Sequence, residues 1–88
     1  MEIEWDNNKA ASNLIKHKID FEDAKNIFLD PNRLEREDKR DYNETRIQVI
    51  GIVNQVVLFI VYTKRNGKNR IISARRANKN ERRQYYQS

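Results

Sequence analysis

His17 is the one histidine in the chain, and imidazole is the side chain that ordinarily changes charge near neutral pH. It stands between Lys16 and Lys18. Glu44 and Arg46 are two positions apart, so an extended strand would put them on one face. Arg70, Arg75 and Arg76 fall within one short segment, and an arginine fork matches the oxygens of a phosphate. A base for a hydroxyl, an acid for a leaving oxygen and cations for growing negative charge are the parts that phosphodiester chemistry needs. The candidate catalytic residues are therefore Lys16, His17, Glu44, Arg46, Arg75 and Arg76. Lys9, Arg70, Arg82 and Arg83 are candidate phosphate contacts, and Tyr85 or Tyr86 could stack on bases.

Each of these residues also has an ordinary structural use. A histidine or lysine at a helix C-terminus is favoured by the helix dipole, which would account for Lys16 and His17. Glu44 and Arg46 make a same-face ion pair. Alternation places Arg70 and Arg76 on one face of a strand, with Ile72 and Ala74 between them, and Arg75 on the other. Glu81 completes a capping box with Asn78. Arg82 and Arg83 suit a solvated helix face, and Tyr85 suits packing of that helix onto a sheet. Trp5 is expected in the core, and Lys9 is an isolated helix lysine. No His, Asp or Glu cluster has a recognisable metal spacing, and cysteine is absent. Neither a metal nor a cofactor is expected.

The elements that must position these groups follow from pattern. Residues 2–5 alternate and predict a short strand. Asp6 caps a helix through about Lys18, with Ala11, Leu14, Ile15 and the stem of Lys18 as its apolar face. Asp20 starts a second helix, which buries Phe21, Ala24, Ile27 and Phe28 and stops at Asp30-Pro31. Residues 32–44 are dense in charge and predict a loop or edge strand. Arg46–Val53, Val56–Lys64 and Arg70–Arg76 form an antiparallel meander, turned at Asn54-Gln55 and around Asn66-Gly67. Asn78 caps a last helix through Tyr86. The expectation is one α+β domain over residues 1–88, its helices packed on one sheet.

Charge narrows the partner. The chain of 88 residues carries a net +5. Residues 1–44 hold eight Lys/Arg against twelve Asp/Glu, a balance of −4; residues 45–88 hold ten against one, a balance of +9. A half-chain of that sign attracts polyanions, nucleic acid first. No apolar run reaches the length of a membrane span, and the first residues lack a signal-peptide layout. A cytoplasmic protein is expected.

Along nearly its whole length the sequence resembles the BrnT toxin family. Trp5-Asp6-Asn7-Asn8-Lys9 followed by Asn13, Lys16 and His17 is similar to the family's first strand and helix. Phe21, Ala24, Phe28 and Asp30-Pro31 match its second helix, and Glu44, Arg46 and Gly51 the start of its meander. Thr63, then Arg70 through Ala77, then Glu81, Arg82 and Tyr85 match its last strand and helix. Lys18 stands where that family usually has glycine. The resemblance implies a fold similar to the RelE toxins and a ribonuclease that inhibits translation and growth. It also implies a ribbon-helix-helix antitoxin of the BrnA type in a heterotetramer, which touches operon DNA through the antitoxin. RNA can be cleaved without metal by attack of its own 2′-hydroxyl, the route expected here. Two other functions fit the same basic surface: a nucleic-acid-binding module without catalysis, and a subunit that only binds an acidic protein.

Overall fold

The computed structural model describes residues 1–40 and 43–88. Positions 41 and 42, part of the segment expected as loop or edge strand, lie outside the described residues. The chain runs β1 (Ile3–Trp5), α1 (Asn7–His17), α2 (Phe21–Ala24), a 3-10 turn (Lys25–Leu29), β2 (Leu34–Asp38), β3 (Arg46–Val53), β4 (Val56–Arg65), β5 (Lys68–Arg76) and α3 (Lys79–Gln87). The strands form one sheet in the order β1-β5-β4-β3-β2. β1 pairs parallel to β5, and every other pairing is antiparallel. The α+β expectation holds, and the charged segment supplies an edge strand.

Two tight turns set the register of the meander. Asn54 and Gln55 have φ of 49° and 70°, and Asn66 and Gly67 have 54° and 76°. Positive φ at both central residues matches the right-handed twist of the flanking strands. The second turn holds two residues only, so β5 begins at Lys68 rather than at Arg70.

One face of the sheet is covered by α1, α2 and the 3-10 turn. Phe21, Ala24, Ile27 and Phe28 pack there on Val49, Leu58, Ile60, Tyr62, Ile71 and Ala74. Full burial stabilises a side chain such as Ile60 by about 1.5–3 kcal/mol, so this layer dominates the stability of a small domain. Tyr62 also donates its hydroxyl to Glu35. The other face carries α3 alone, which buries Ala77 and Tyr85 against Ile50, Val57 and Phe59. Beyond α3 that face is lined by polar and charged side chains, with Thr63 and Asp38 buried among them, and is called the open face.

Both edge strands are short, and a side chain plugs the gap beyond each. β1 stops pairing at Ile71. Past it, the Asn13 amide accepts from the Ala74 N–H at 3.1 Å and donates to the Ala74 carbonyl at 2.8 Å. β2 stops at the Leu34–Ile50 pair. Past it, the Asp30 carboxylate accepts from the Ile52 N–H at 2.8 Å. Buried backbone groups require such partners. Gly51 permits the approach of Asp30, since a Cβ there would lie 2.7 Å from Ile27 Cγ1 and 3.2 Å from Asp30 Oδ2.

Two readings of pattern are corrected. The apolar stripe expected to seat α1 faces outward: Ile15 is 73% and Leu14 45% exposed, while Asn13 is buried. The polar plug at Ala74 decides the orientation of the helix, and only Ala10 of α1 joins the core. The simple alternation of β5 also fails. Val61 pairs with Ser73 but Tyr62 with Ile71, so Ile72 is the extra residue of a bulge. Arg70 and Arg75 therefore share the open face, and Arg76 turns to the covered side.

Candidate nucleic-acid interface

The open face is ordered in rows across the strands. The first row reads Asp38, Arg46, Thr63, Arg70 and Glu4, each a direct cross-strand neighbour of the next. The second reads Arg36, Gln48, Val61 and Ser73. The third reads Leu34, Ile50, Phe59 and Arg75, and α3 lies over it. By register the second row is the strip of sheet between α3 and the first row, and that strip, with Gln48, Val61 and Ser73 half-buried, is the trough.

Arginines line both sides of the trough, each held by an acid. Glu44 accepts from Arg46 Nε at 3.2 Å and lies 3.6 Å from Arg65. Arg70 donates to Glu4 at 3.1 Å. A depression of about 220 Å³ beside them is lined by Lys9, Glu44, Thr63, Arg65 and Arg70 among others. On the α3 side, Arg75 makes two bonds to Glu81, at 2.8 and 2.9 Å, and its guanidinium sits 4.2 Å from the centre of the Phe59 ring. A third bond reaches the Arg76 carbonyl. Three of the five N–H donors of its guanidinium are thus used within the chain. Arg36 donates Nε to Gln48 at 2.7 Å.

Glu81 does two jobs. Its carboxylate accepts from the Asn78 N–H at 2.9 Å while the Asn78 side chain accepts from the Glu81 N–H, so the capping box is complete. Burial alone pushes its carboxyl up; the hydrogen bonds from Arg75 and Asn78 and the charges of Arg75 and Arg36 outweigh that and hold it below the usual range. Arg75 is thereby fixed to the first turn of α3.

Tyr85 fixes the other end of that helix. It is 8% exposed, and its hydroxyl donates to Asp30 at 2.6 Å. Burial and the Asp30 carboxylate push the phenol up to about 12. Burial alone pushes the Asp30 carboxyl up as well, but the Tyr85 hydroxyl, the Ile52 and Asn32 N–H groups and Arg33 outweigh it and bring it below the usual carboxylate range. The ring of Tyr85 is core, as its packing alternative required, and is not offered for stacking. Tyr86 is exposed.

The candidates thus divide into groups. Lys9, Glu44, Arg46 and Arg70 gather at the start of β5, and Arg75 stands across the trough on the same face. Lys16 and His17 close α1 at the other end of β5. Arg76 is there too, on the covered side, in a depression that also includes Lys18, Ile19 and Val56. Arg82 and Arg83 are exposed on α3, with Arg82 donating to the Ala77 carbonyl at 2.8 Å. Arg36 and Gln48 went unnoticed in the sequence, although alternation across Leu34–Asp38 would have put Arg36 opposite its charged neighbours. Among the described residues, no group of three or more His, Cys, Asp or Glu is placed to hold a metal ion, and no helix is long and apolar enough to cross a membrane.

Residues 5–81 match the family described as BrnT, the ribonuclease toxin of type II toxin-antitoxin systems. The chain belongs to that family. The toxin accordingly has RNA as its substrate class and an antitoxin as its partner. No curated protein sequence matches the chain.

Proposed function

We propose that the toxin cleaves RNA in the trough of the open face, without a metal ion. The observation that carries this reading is the gathering of Arg36, Arg46, Arg70 and Arg75 on one face of the sheet with Glu44 among them. The Glu44 carboxylate takes the proton of a ribose 2′-hydroxyl. That oxygen attacks the adjacent phosphorus, the bond to the 5′-oxygen breaks, and the proton is returned to the departing oxygen from Glu44 or through solvent. The products are a 2′,3′-cyclic phosphate and a 5′-hydroxyl. Arg46 and Arg70 hold the phosphate beside Glu44 and stabilise its added charge.

Arg75 lies four β4 residues from Arg46 by register, about 13 Å along the strands at roughly 3.3 Å per residue. At that separation it holds a neighbouring nucleotide, with Arg36 beside it. Lys9, Arg82 and Arg83 extend the contact to flanking phosphates. Lys16, His17 and Arg76 stand away from the trough, so this reading gives the chemistry to Glu44 and the open-face arginines. The toxin acts in the cytoplasm, arrests translation and growth, and is silenced by a ribbon-helix-helix antitoxin of the BrnA type in a heterotetramer. Operon DNA is reached through the antitoxin.

The test is purified toxin with RNA in excess chelator. Cleavage with cyclic phosphate ends is expected to persist, and to fall at least a hundredfold in Glu44→Gln. Loss of activity in chelator that a divalent ion restores would refute the metal-free route. Binding without cleavage would leave a nucleic-acid-binding module.

A further inference from the structure

A depression of about 160 Å³ lies between α3 and the β2–β3 end of the sheet, lined by Leu34, Glu35, Arg36, Gln48, Ile50 and Gln84. Leu34 and Ile50 are cross-strand neighbours and supply its apolar part. Arg36 and Gln48 are the next same-face pair on those two strands, and Gln84 comes from α3, three residues after Glu81 and so on the same side of the helix. The Glu35 carboxylate is already taken by Tyr62 and Arg33. The other polar groups are under-used. Gln48 Oε1 accepts from Arg36 Nε at 2.7 Å, which orients the guanidinium. The remaining N–H groups of Arg36, the Gln48 amide nitrogen and the Gln84 side-chain amide make no hydrogen bond to the described residues. Arg36 is also close enough to α3 for its charge to help keep Glu81 ionised.

Position ties this depression to the substrate. Gln48 stands two residues beyond Arg46 on the same face of β3, about 7 Å at roughly 3.3 Å per residue. A phosphate held at Arg46 and Arg70 therefore has the base of an adjoining nucleotide beside the depression. Single-stranded RNA is read in this way, by bases turned out of the stack onto apolar surface and hydrogen-bonded at their edges. An apolar side chain of a protein partner would cover Leu34 and Ile50 but shut the unpaired donors away from water, which is costly. Among the bases, guanine presents two adjacent acceptors, O6 and N7, and these match an arginine fork. Adenine sets an amino donor where guanine has O6, against the N–H groups of Arg36. A purine also covers more of the apolar lining than a pyrimidine. We infer that this depression reads a guanine beside the scissile phosphate, with Arg36 on its O6 and N7 and the Gln84 carbonyl on its amino edge. Gln48 acts as a positioning residue for Arg36. The inference rests on the ribonuclease reading and names the base that the site selects.

The experiment incubates full-length toxin with single-stranded RNA of randomised sequence and maps the new ends. Guanine is expected at one fixed position next to the cut, preferred over adenine at least tenfold, as a bidentate contact to a base discriminates. Replacing that guanosine by 7-deazaguanosine, which lacks N7, should remove most of the preference. Arg36→Lys keeps the charge without the fork and Arg36→Met removes both; each should bring the guanine-to-adenine ratio within about threefold. Gln48→Leu should lower the ratio part of the way. The ratio is internal to each protein, so a general loss of RNA binding or of stability does not move it. A parent toxin with no base preference beside the cut overturns the proposal, as does a preference that survives in Arg36→Lys or with 7-deazaguanosine. An unchanged ratio in Arg36→Met together with lost antitoxin binding would make the depression a seat for the protein partner, and also overturns it. If the parent cleaves no RNA, short oligonucleotides are titrated instead. Tighter binding of the guanine-containing one, equalised in Arg36→Met, would sink the cleavage mechanism and leave the guanine site standing; equal binding by the parent would sink both.

Discussion

Arg75 and Arg76 are neighbours in sequence with opposite surroundings. Arg75 is clamped by Glu81 and stacked on Phe59, on the face that carries α3; Arg76 looks to the covered side beside Lys18. Arg75→Lys keeps a charge for Glu81 but loses the fork, and cleavage should drop at least tenfold with the fold retained. Arg76→Ala should cleave RNA within about threefold of the parent. Equal losses in the two, measured as initial rates on one RNA, would show that both reach the phosphate. Asp30 is the other decisive residue, since three donors converge on its carboxylate. Asp30→Asn places an amide N–H against one of them and should cost about 1–3 kcal/mol. The pH dependence follows in sign. Asp30 and Glu81 are held below their ordinary values of 3.8 and 4.5, so the unfolded chain binds protons first. Their contribution is fully present above about pH 4.5, and it is lost as pH falls through the lower folded values. Denaturation midpoints between pH 7 and pH 2 should show this loss, shallower in Asp30→Asn. Tyr85 acts at the other extreme. Its stabilisation holds below its unfolded value of 10.0 and disappears as pH rises through about 12.

At the scale of elements, α1 ends on a residue that does not favour its own backbone. Lys18 has φ 61° and ψ 27°, and its N–H closes on the Leu14 carbonyl. That left-handed position is where a helix usually recruits glycine, because a Cβ is disfavoured there. The resemblance to BrnT toxins had already marked the same position as a departure. Lys18→Gly should therefore stabilise the fold by about 0.5–1 kcal/mol. Glycine's extra freedom in the unfolded chain limits the gain. In a domain of this size that amounts to a few degrees in thermal midpoint, readable by calorimetry. A lower midpoint would mean that the lysine side chain contributes more than its backbone costs. The bulge at Ile72 is the second decisive local feature. One extra residue carries Arg75 to the face of Arg70 and brings Ile71 and Ala74 into a single core.

Across the whole molecule, the opposed charges of the two half-chains meet in space. Glu2, Glu4 and Glu44 from the acidic half pair with Lys68, Arg70 and with Arg46 and Arg65 from the basic half. The open face is thus a mosaic of paired arginines, not a bare cationic sheet. The net +5 remains, with Arg76, Arg82 and Arg83 among its exposed carriers. Association with an acidic antitoxin should be fast at low salt and slow markedly as salt rises, because steering is screened beyond about 8–10 Å near physiological ionic strength. The formed complex should persist through apolar contacts. Stopped-flow rates against salt, with hydrogen-exchange mapping, check this. A salt-independent rate, with no protection on α3 or the end of β5, would remove charge from the account of inhibition.

Elements were legible in the sequence wherever the cause was local. Asp6 and Asn78 cap the helices that they were expected to start, the dipeptide turns lie where Asn54 and Asn66 put them, and the Val- and Ile-rich runs are strands. Such features depend on a few consecutive residues, so the order of types carries them. The basic strand and the Glu44–Arg46 pair could be read in the same way. What depended on distant partners could not. A short β1 leaves Ala74 unpaired at the sheet edge, and that vacancy, 61 residues away in sequence, turns α1 on Asn13 and its apolar stripe to solvent. One inserted residue in β5 reverses the face of every later side chain, because strand alternation has a period of two. Only the assembled sheet shows that Arg75 joins Arg70 while Arg76 leaves it, and that Tyr85 closes on Asp30 across 55 residues. Backbone satisfaction and register are properties of the whole pairing, and these decided which candidates share a surface.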